Sequence, residues 1–149
     1  MKTVDTKIYL DTLCQLANKG ETVSTVVSGG SMIPFLSPNR DYVFLKTPDK
    51  PLKKGDIVLF TRDNGNYALH RIKKATQKGY YLTGDRQTCI EGPVEKEKIH
   101  CIVTAVKRKG KLIENKSFVW KFYEKIWINL VFLRPVFFKA ASLFRRKHS

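Results

Sequence analysis

Acidic residues are scarce in this chain: 13 Asp and Glu stand against 28 Lys and Arg, a formal charge of +15 over 149 residues. A surplus of that size suits an anionic partner, either a nucleic acid or a membrane surface. Its position favours the membrane. The last 43 residues hold twelve Lys and Arg but two Glu, a net +10, and the basic side chains are mixed with both tryptophans. Basic charge interleaved with Trp, Phe and Leu fits an anionic bilayer surface, and no nucleic-acid partner is expected. Cysteine is also sparse. Cys14, Cys89 and Cys101 are odd in number and show no metal-ligand spacing, which points to reduced thiols in a reducing compartment rather than a disulfide framework or a metal site. Long apolar runs are missing as well. Residues 1–20 carry Asp5 and Asp11 and no run of seven apolar side chains, which excludes a secretory signal peptide. The expectation is a chain on the cytoplasmic side, peripheral on the inner face of the membrane.

What is present reads as one small β domain with a helix at each end. Apolar residues make up 42 %, enough for one core. Val4, Ile8, Leu13, Leu16 and Ala17 fall at helical spacing over residues 4–18, and Asn18-Lys19-Gly20 supplies a stop. Short β-branched or alternating runs follow at 21–28, 41–46, 56–61, 66–73, 78–83, 99–107 and 111–114, separated by Gly- and Pro-containing turns. Many short strands with turn signals predict a compact, mostly antiparallel β barrel or sandwich. Residues 117–144 return to a helical pattern, broken at Arg134-Pro135. The expected division is an N-terminal helix over 1–20, a β domain over 21–115 and a basic aromatic tail over 116–149.

Three short motifs could carry chemistry. In Gly30-Ser31-Met32-Ile33-Pro34, a serine follows Gly29 and Gly30 at the end of a strand. Glycines there let the backbone turn tightly, let a substrate chain approach, and leave N–H groups free for an oxyanion. Taken alone, Gly-Gly-Ser is a common loop and Ser31 an ordinary turn residue. In Leu69-His70-Arg71-Ile72, a histidine stands in an alternating strand. An imidazole of pKa near ~6.5 is the natural base for a serine at neutral pH, although a lone strand histidine is more often structural. Finally, Thr83-Gly84-Asp85 is followed by Glu91. Either carboxylate could hold the second ring N–H of the histidine, and Asp85 could equally cap a turn.

The order of these motifs resembles type I signal peptidases and the self-cleaving SOS-type and phage repressors. Their pattern runs Gly-x-Ser-Met-x-Pro, Gly-Asp-hydrophobic-Val, the base, a Gly-Asp box and a closing Ile-x-x-x-Val strand. The matching positions are residues 30–34, Gly55-Asp56-Ile57-Val58, His70-Arg71-Ile72, Gly84-Asp85 and residues 99–106. The chain is similar to the kind with a histidine base rather than a lysine. The resemblance implies a signal-peptidase-type β fold and a serine endopeptidase without metal or cofactor. Ser31 would be the nucleophile, His70 the general base, Asp85 or Glu91 the third member, and Gly29, Gly30 and Met32 the oxyanion and substrate cleft. The family's Ser or Thr two places before the nucleophile is Gly29 here, so the oxyanion would rely on the N–H of Ser31 or another donor.

The expected function is limited cleavage of a peptide or precursor protein. Two readings compete with it: a self-cleaving regulatory module, and a non-catalytic module bound to membrane surfaces. Against the first, residues 1–20 are too short for a helix-turn-helix domain. The tail is expected to lie in the plane of an anionic bilayer, with Trp120, Tyr123 and Trp127 buried in lipid and Arg134 among the basic side chains reaching headgroups. Its longest uncharged run, residues 126–133, is too short to span. Packing of part of the tail on the β domain is the alternative.

Overall fold

A computed structural model describes residues 3–148, with side chains placed over 6–145. Helix α1 (Thr3–Asn18) ends at Gly20, whose φ of +92° turns the chain out of the helix while its N–H bonds to Ala17. Eight strands follow: β1 (Val23–Val26), β2 (Tyr42–Lys46), β3 (Ile57–Thr61), β4 (Tyr67–Thr76), β5 (Gly79–Thr83), β6 (Glu91–Val94), β7 (Ile99–Arg108) and β8 (Lys111–Glu114). All pair antiparallel, in the order β1-β2-β7-β3-β4-β5-β6, with β8 on the far half of β7. The expected antiparallel β domain is present. Among the described residues β1, β6 and β8 each pair on one side only, so the sheet is open rather than closed into a barrel.

The alternation of β3 explains how one sheet serves two cores. Its first four residues are all buried. Ile57 and Leu59 point into a large cluster with α1, β1, β2 and β7, whereas Val58 and Phe60 point to the other side, onto Ile72, Leu82 and Ile99. Successive side chains of a strand face opposite ways, so a continuous apolar run needs cover on both faces. Strand β4 obeys the same rule: Leu69 packs toward the first cluster, while His70, paired with Val58, shares the second side with Ile72.

One strand was not legible. Strand β6 contains Gly92 and Pro93, which argue against a strand interior. It survives because it is an edge strand, where a missing N–H leaves no ladder bond unmade.

The tail departs from expectation in two ways. It contains α2 (Phe118–Lys125), a 3-10 stretch (Trp127–Leu133) and α3 (Arg134–His148). Ser117 caps α2 by accepting from the Trp120 N–H at 3.1 Å. Arg134-Pro135 does not break a helix but begins one, since proline in a first turn lacks a hydrogen bond it would not have made anyway. The irregular backbone lies earlier, at Leu130. Moreover, Trp120, Tyr123, Trp127, Ile128 and Val131 are buried in the protein, as is Arg134. One side of the first half of the tail is therefore core, while Phe118 and Ile126 stay exposed there and α3 beyond Arg134 is mostly exposed.

Candidate active site

Ser31 opens a tight turn between β1 and β2. The N–H of Ile33 bonds back to Gly30 and that of Leu36 to Met32. Buried Met32, Phe35 and Leu36 anchor the turn in the large core. Met32 therefore fixes the turn through its side chain and offers the cleft only its backbone. Gly29 sits at φ +75° with open space where a Cβ would be, so it is required for its conformation rather than for room. Among the described residues, neither the N–H of Ser31 nor that of Met32 donates to an acceptor.

Gly84 joins the serine to the histidine. A Cβ on Gly84 would lie 2.4 Å from the Ser31 carbonyl oxygen and 2.9 Å from its Cβ. The next loop residues hold that contact, with the Arg86 N–H donating to Ser31 O at 2.9 Å. Strand β5 pairs Thr83 with Arg71 of β4, and continuing that register by one residue sets Gly84 opposite His70. Ser31 and His70 thus border the same glycine, one across a loop contact and the other across the sheet. No hydrogen bond joins the Ser31 hydroxyl to the ring among the described residues.

The two candidate acids part company. Glu91 Oε1 lies 3.0 Å from His70 Nδ1, and both its oxygens also accept from Arg62, at 3.0 and 3.1 Å. The Glu91 contact is short but lies off the ring N–H axis, so Nδ1 has a facing carboxylate without an aligned hydrogen bond. Asp85 is elsewhere. Its two oxygens accept from Arg71 Nε and Nη2 at 2.9 and 3.0 Å, and the third arm of Arg71 donates to Gly55 O. Both partners of that pair are wholly buried. The expectation that Asp85 faces His70 is corrected: its lone pairs are committed to an arginine on the other side of β4.

His70 is almost completely buried, against the Phe60 ring at 5.5 Å. Burial disfavours the charged ring and pushes its pKa down to about 4, although the Glu91 charge pulls the other way and Arg62 adds to the depression. The imidazole is neutral at pH 7. Burial works against the Glu91 carboxylate too, but the Arg62 guanidinium and His70 hold it below the usual range.

The tail supports this corner from behind, which no local motif signalled. Arg134 donates to the carbonyls of Gly84 at 2.7 Å, Gln87 at 2.8 Å and Trp127 at 3.1 Å. Trp127 Nε1 donates to Asp85 O at 2.6 Å, and Gln87 Oε1 accepts from the Gly84 N–H. Two cavities are lined by chain neighbours of Ser31, though not by Ser31 or His70 themselves. One of about 400 Å³ is lined by Val26, Val27 and Ser28 just before the turn, by Ala68 and Leu69 just before His70, and by α1. The other, of about 720 Å³, is lined by Ile33 and Pro34 just after Ser31, by Arg86 and by α3. Among the described residues no cluster of His, Cys, Asp and Glu is placed to hold a metal.

The fold is an open antiparallel β sheet with a serine turn and a buried histidine strand joined through Gly84. The family model described as Peptidase S24-like matches residues 2–106, and the chain belongs to that family. No curated protein and no solved structure matches the chain. Membership carries a serine-peptidase or self-cleaving regulatory fold in general, in a family that also holds non-catalytic members.

Proposed function

We propose that this chain is a serine endopeptidase making limited cuts in a peptide or precursor protein, with Ser31 as nucleophile, His70 as general base and Glu91 as the residue that orients the base. The observation that supports this reading is that Gly84 touches Ser31 and falls opposite His70 when the β4–β5 register is continued, while His70 Nδ1 faces the Glu91 carboxylate. With a proton on Nδ1 turned toward Glu91, Nε2 keeps its lone pair. It takes the Ser31 proton as Oγ attacks the peptide carbonyl. The unpaired N–H groups of Ser31 and Met32 are the candidate donors to the oxyanion, in the place where the related peptidases add a hydroxyl and this chain has Gly29. The charged ring then returns its proton to the leaving amine, and water releases the acyl group.

The two cavities suggest how substrate lies. An extended chain crossing Ser31 would put an apolar side chain before the cut into the 400 Å³ cavity and lead out past Ile33 and Pro34. The test is incubation with a fluorophosphonate serine probe and mass mapping of the adduct. Labelling at Ser31, lost in Ser31→Ala and in His70→Ala with the fold retained, supports a peptidase. Unlabelled Ser31 in folded protein, or undiminished cleavage by Ser31→Ala, refutes it.

A further inference from the structure

Helix α3 has two unlike long faces. Arg134, Phe138, Ala141 and Arg145 recur at steps of three and four, which on a helix makes one stripe. That stripe faces the domain. Arg134 is buried on its three carbonyls, Phe138 packs on Trp127 at 6.0 Å, and Phe138, Ala141 and Arg145 line the 720 Å³ cavity beside Ile33 and Pro34. On the opposite side lie Val136, Ala140 and Leu143, continued by Phe132 and Leu133 from the preceding turn. Phe132 is 85 % exposed and Val136 66 %, with Leu133 and Leu143 exposed by more than half. A continuous band of large apolar side chains in water marks an interaction surface.

Charge identifies the occupant. From residue 115 to 149 the chain has one carboxylate, Glu124, and it is buried against Lys53 and Lys121. The exposed side of the tail offers cations only, among them Lys125 and Lys139. A second copy on this face would set two strongly cationic surfaces together. An anionic bilayer satisfies both features, with the apolar stripe at the acyl boundary and lysines at the headgroups.

We propose that the outward face of α3, with Phe132 and Leu133, docks in the plane of an anionic bilayer. This goes beyond the peptidase reading and does not depend on it. The helical stretch Trp127–Arg145 has 19 residues of mean hydropathy 1.3, long and apolar enough by composition to cross a membrane. Its first part is not available to do so: Trp127, Ile128 and Val131 are buried in the domain and Arg134 is pinned to the Gly84 loop. The 15 residues of α3 alone extend ~22 Å, short of a ~30 Å hydrocarbon core. Docked in the plane, α3 shows lipid one face and the cavity next to Ser31 the other, so substrate would enter at the membrane surface.

The test is co-sedimentation of the full chain with phosphatidylcholine vesicles, with and without phosphatidylglycerol. Binding should need phosphatidylglycerol, weaken as salt rises, and fall at least tenfold in the Val136→Glu/Leu143→Glu variant. Both side chains face solvent, so circular dichroism and the thermal midpoint should stay as in the parent. Ser31→Ala should bind like the parent, which separates docking from catalysis. Four results overturn the proposal: no binding by the parent, equal binding by the double variant, binding that resists alkaline carbonate as a spanning helix does, or a concentration-dependent dimer that the double variant dissolves while vesicles are ignored.

Discussion

Two arginine–carboxylate pairs stand on either side of strand β4, alike in chemistry and unlike in setting. Arg71 and Asp85 are wholly buried, joined by two hydrogen bonds, with the arginine laid over the Phe35 ring at 5.3 Å. Arg62 and Glu91 are also joined twice, but each keeps about a third of its side chain in solvent, and the carboxylate touches His70. In the first pair both carboxylate oxygens accept from Arg71, whose third arm holds the Gly55 carbonyl. The second has a carboxylate free to respond to a proton on the ring. Burial alone therefore does not mark a functional acid; what else the acid touches does.

The largest effect that would sharpen this contrast is on stability. Asp85→Asn leaves the Arg71 charge buried and uncompensated, and loss of one partner of such a pair costs about 3–5 kcal/mol. Denaturant midpoints should fall accordingly, with activity lost through unfolding. A variant that stays as stable as the parent would break the assignment of this pair as structural.

Next comes catalysis. Glu91→Gln keeps the shape but removes the charge that steadies a protonated His70, and turnover should drop by about 100-fold or more, by analogy with other orienting acids. Stability should change by no more than about 1 kcal/mol, because the pair is partly solvent-screened. If this variant unfolds while Asp85→Asn merely slows cleavage, the two roles are reversed.

Third, Gly84→Ala sets a methyl group into the Ser31 carbonyl and must displace the serine or the loop. Probe labelling at Ser31 should slow by tenfold or more in a protein that still unfolds cooperatively. An unaffected rate would show that the Gly84 contact does not position the nucleophile.

The smallest effects concern pH. Because burial holds the His70 pKa down to about 4, kcat/KM should rise through that pH and be flat from 5 to 8. A limb near the ordinary imidazole value of ~6.5 would mean that the ring is solvated in the free protein. The sign for stability follows. A histidine whose folded pKa is depressed contributes fully above its unfolded value, and that contribution is lost as pH falls from ~6.5 through about 4. Arg62→Met removes a cation that disfavours the charged ring, so the acid limb should move upward. A shift downward, or none, would detach Arg62 from the base.

Much of this was legible along the chain. Alternation located seven of the eight strands to within about three residues, because a half-buried strand writes its two faces into successive residues. The serine turn and the His-Arg-Ile strand were visible as local patterns. The acid was not. Asp85 and Glu91 are six residues apart, one in the loop after β5 and one at the start of β6, and spacing says nothing about which will meet His70 and which Arg71. Nor did composition separate Trp120, Tyr123 and Trp127, which are core, from Phe132 and Val136, which are not, since all sit in one aromatic, helix-patterned stretch.

The sequence by itself determined the β domain, where most of its strands lie along the chain and the broad family to which the chain belongs, since periodicity and short motifs are local properties of the backbone. Tertiary structure alone decided the rest. The antiparallel register of β4 and β5 sets His70 opposite Gly84 and Arg71 opposite Thr83, and so assigns one carboxylate to each side of the strand. The docking of Arg134 on the Gly84 and Gln87 carbonyls ties the tail to the domain at the point where its buried side chains give way to an outward helix. Both outcomes rest on contacts between residues far apart in the chain, where an unpaired charge or carbonyl in the interior costs more than any local propensity can offset.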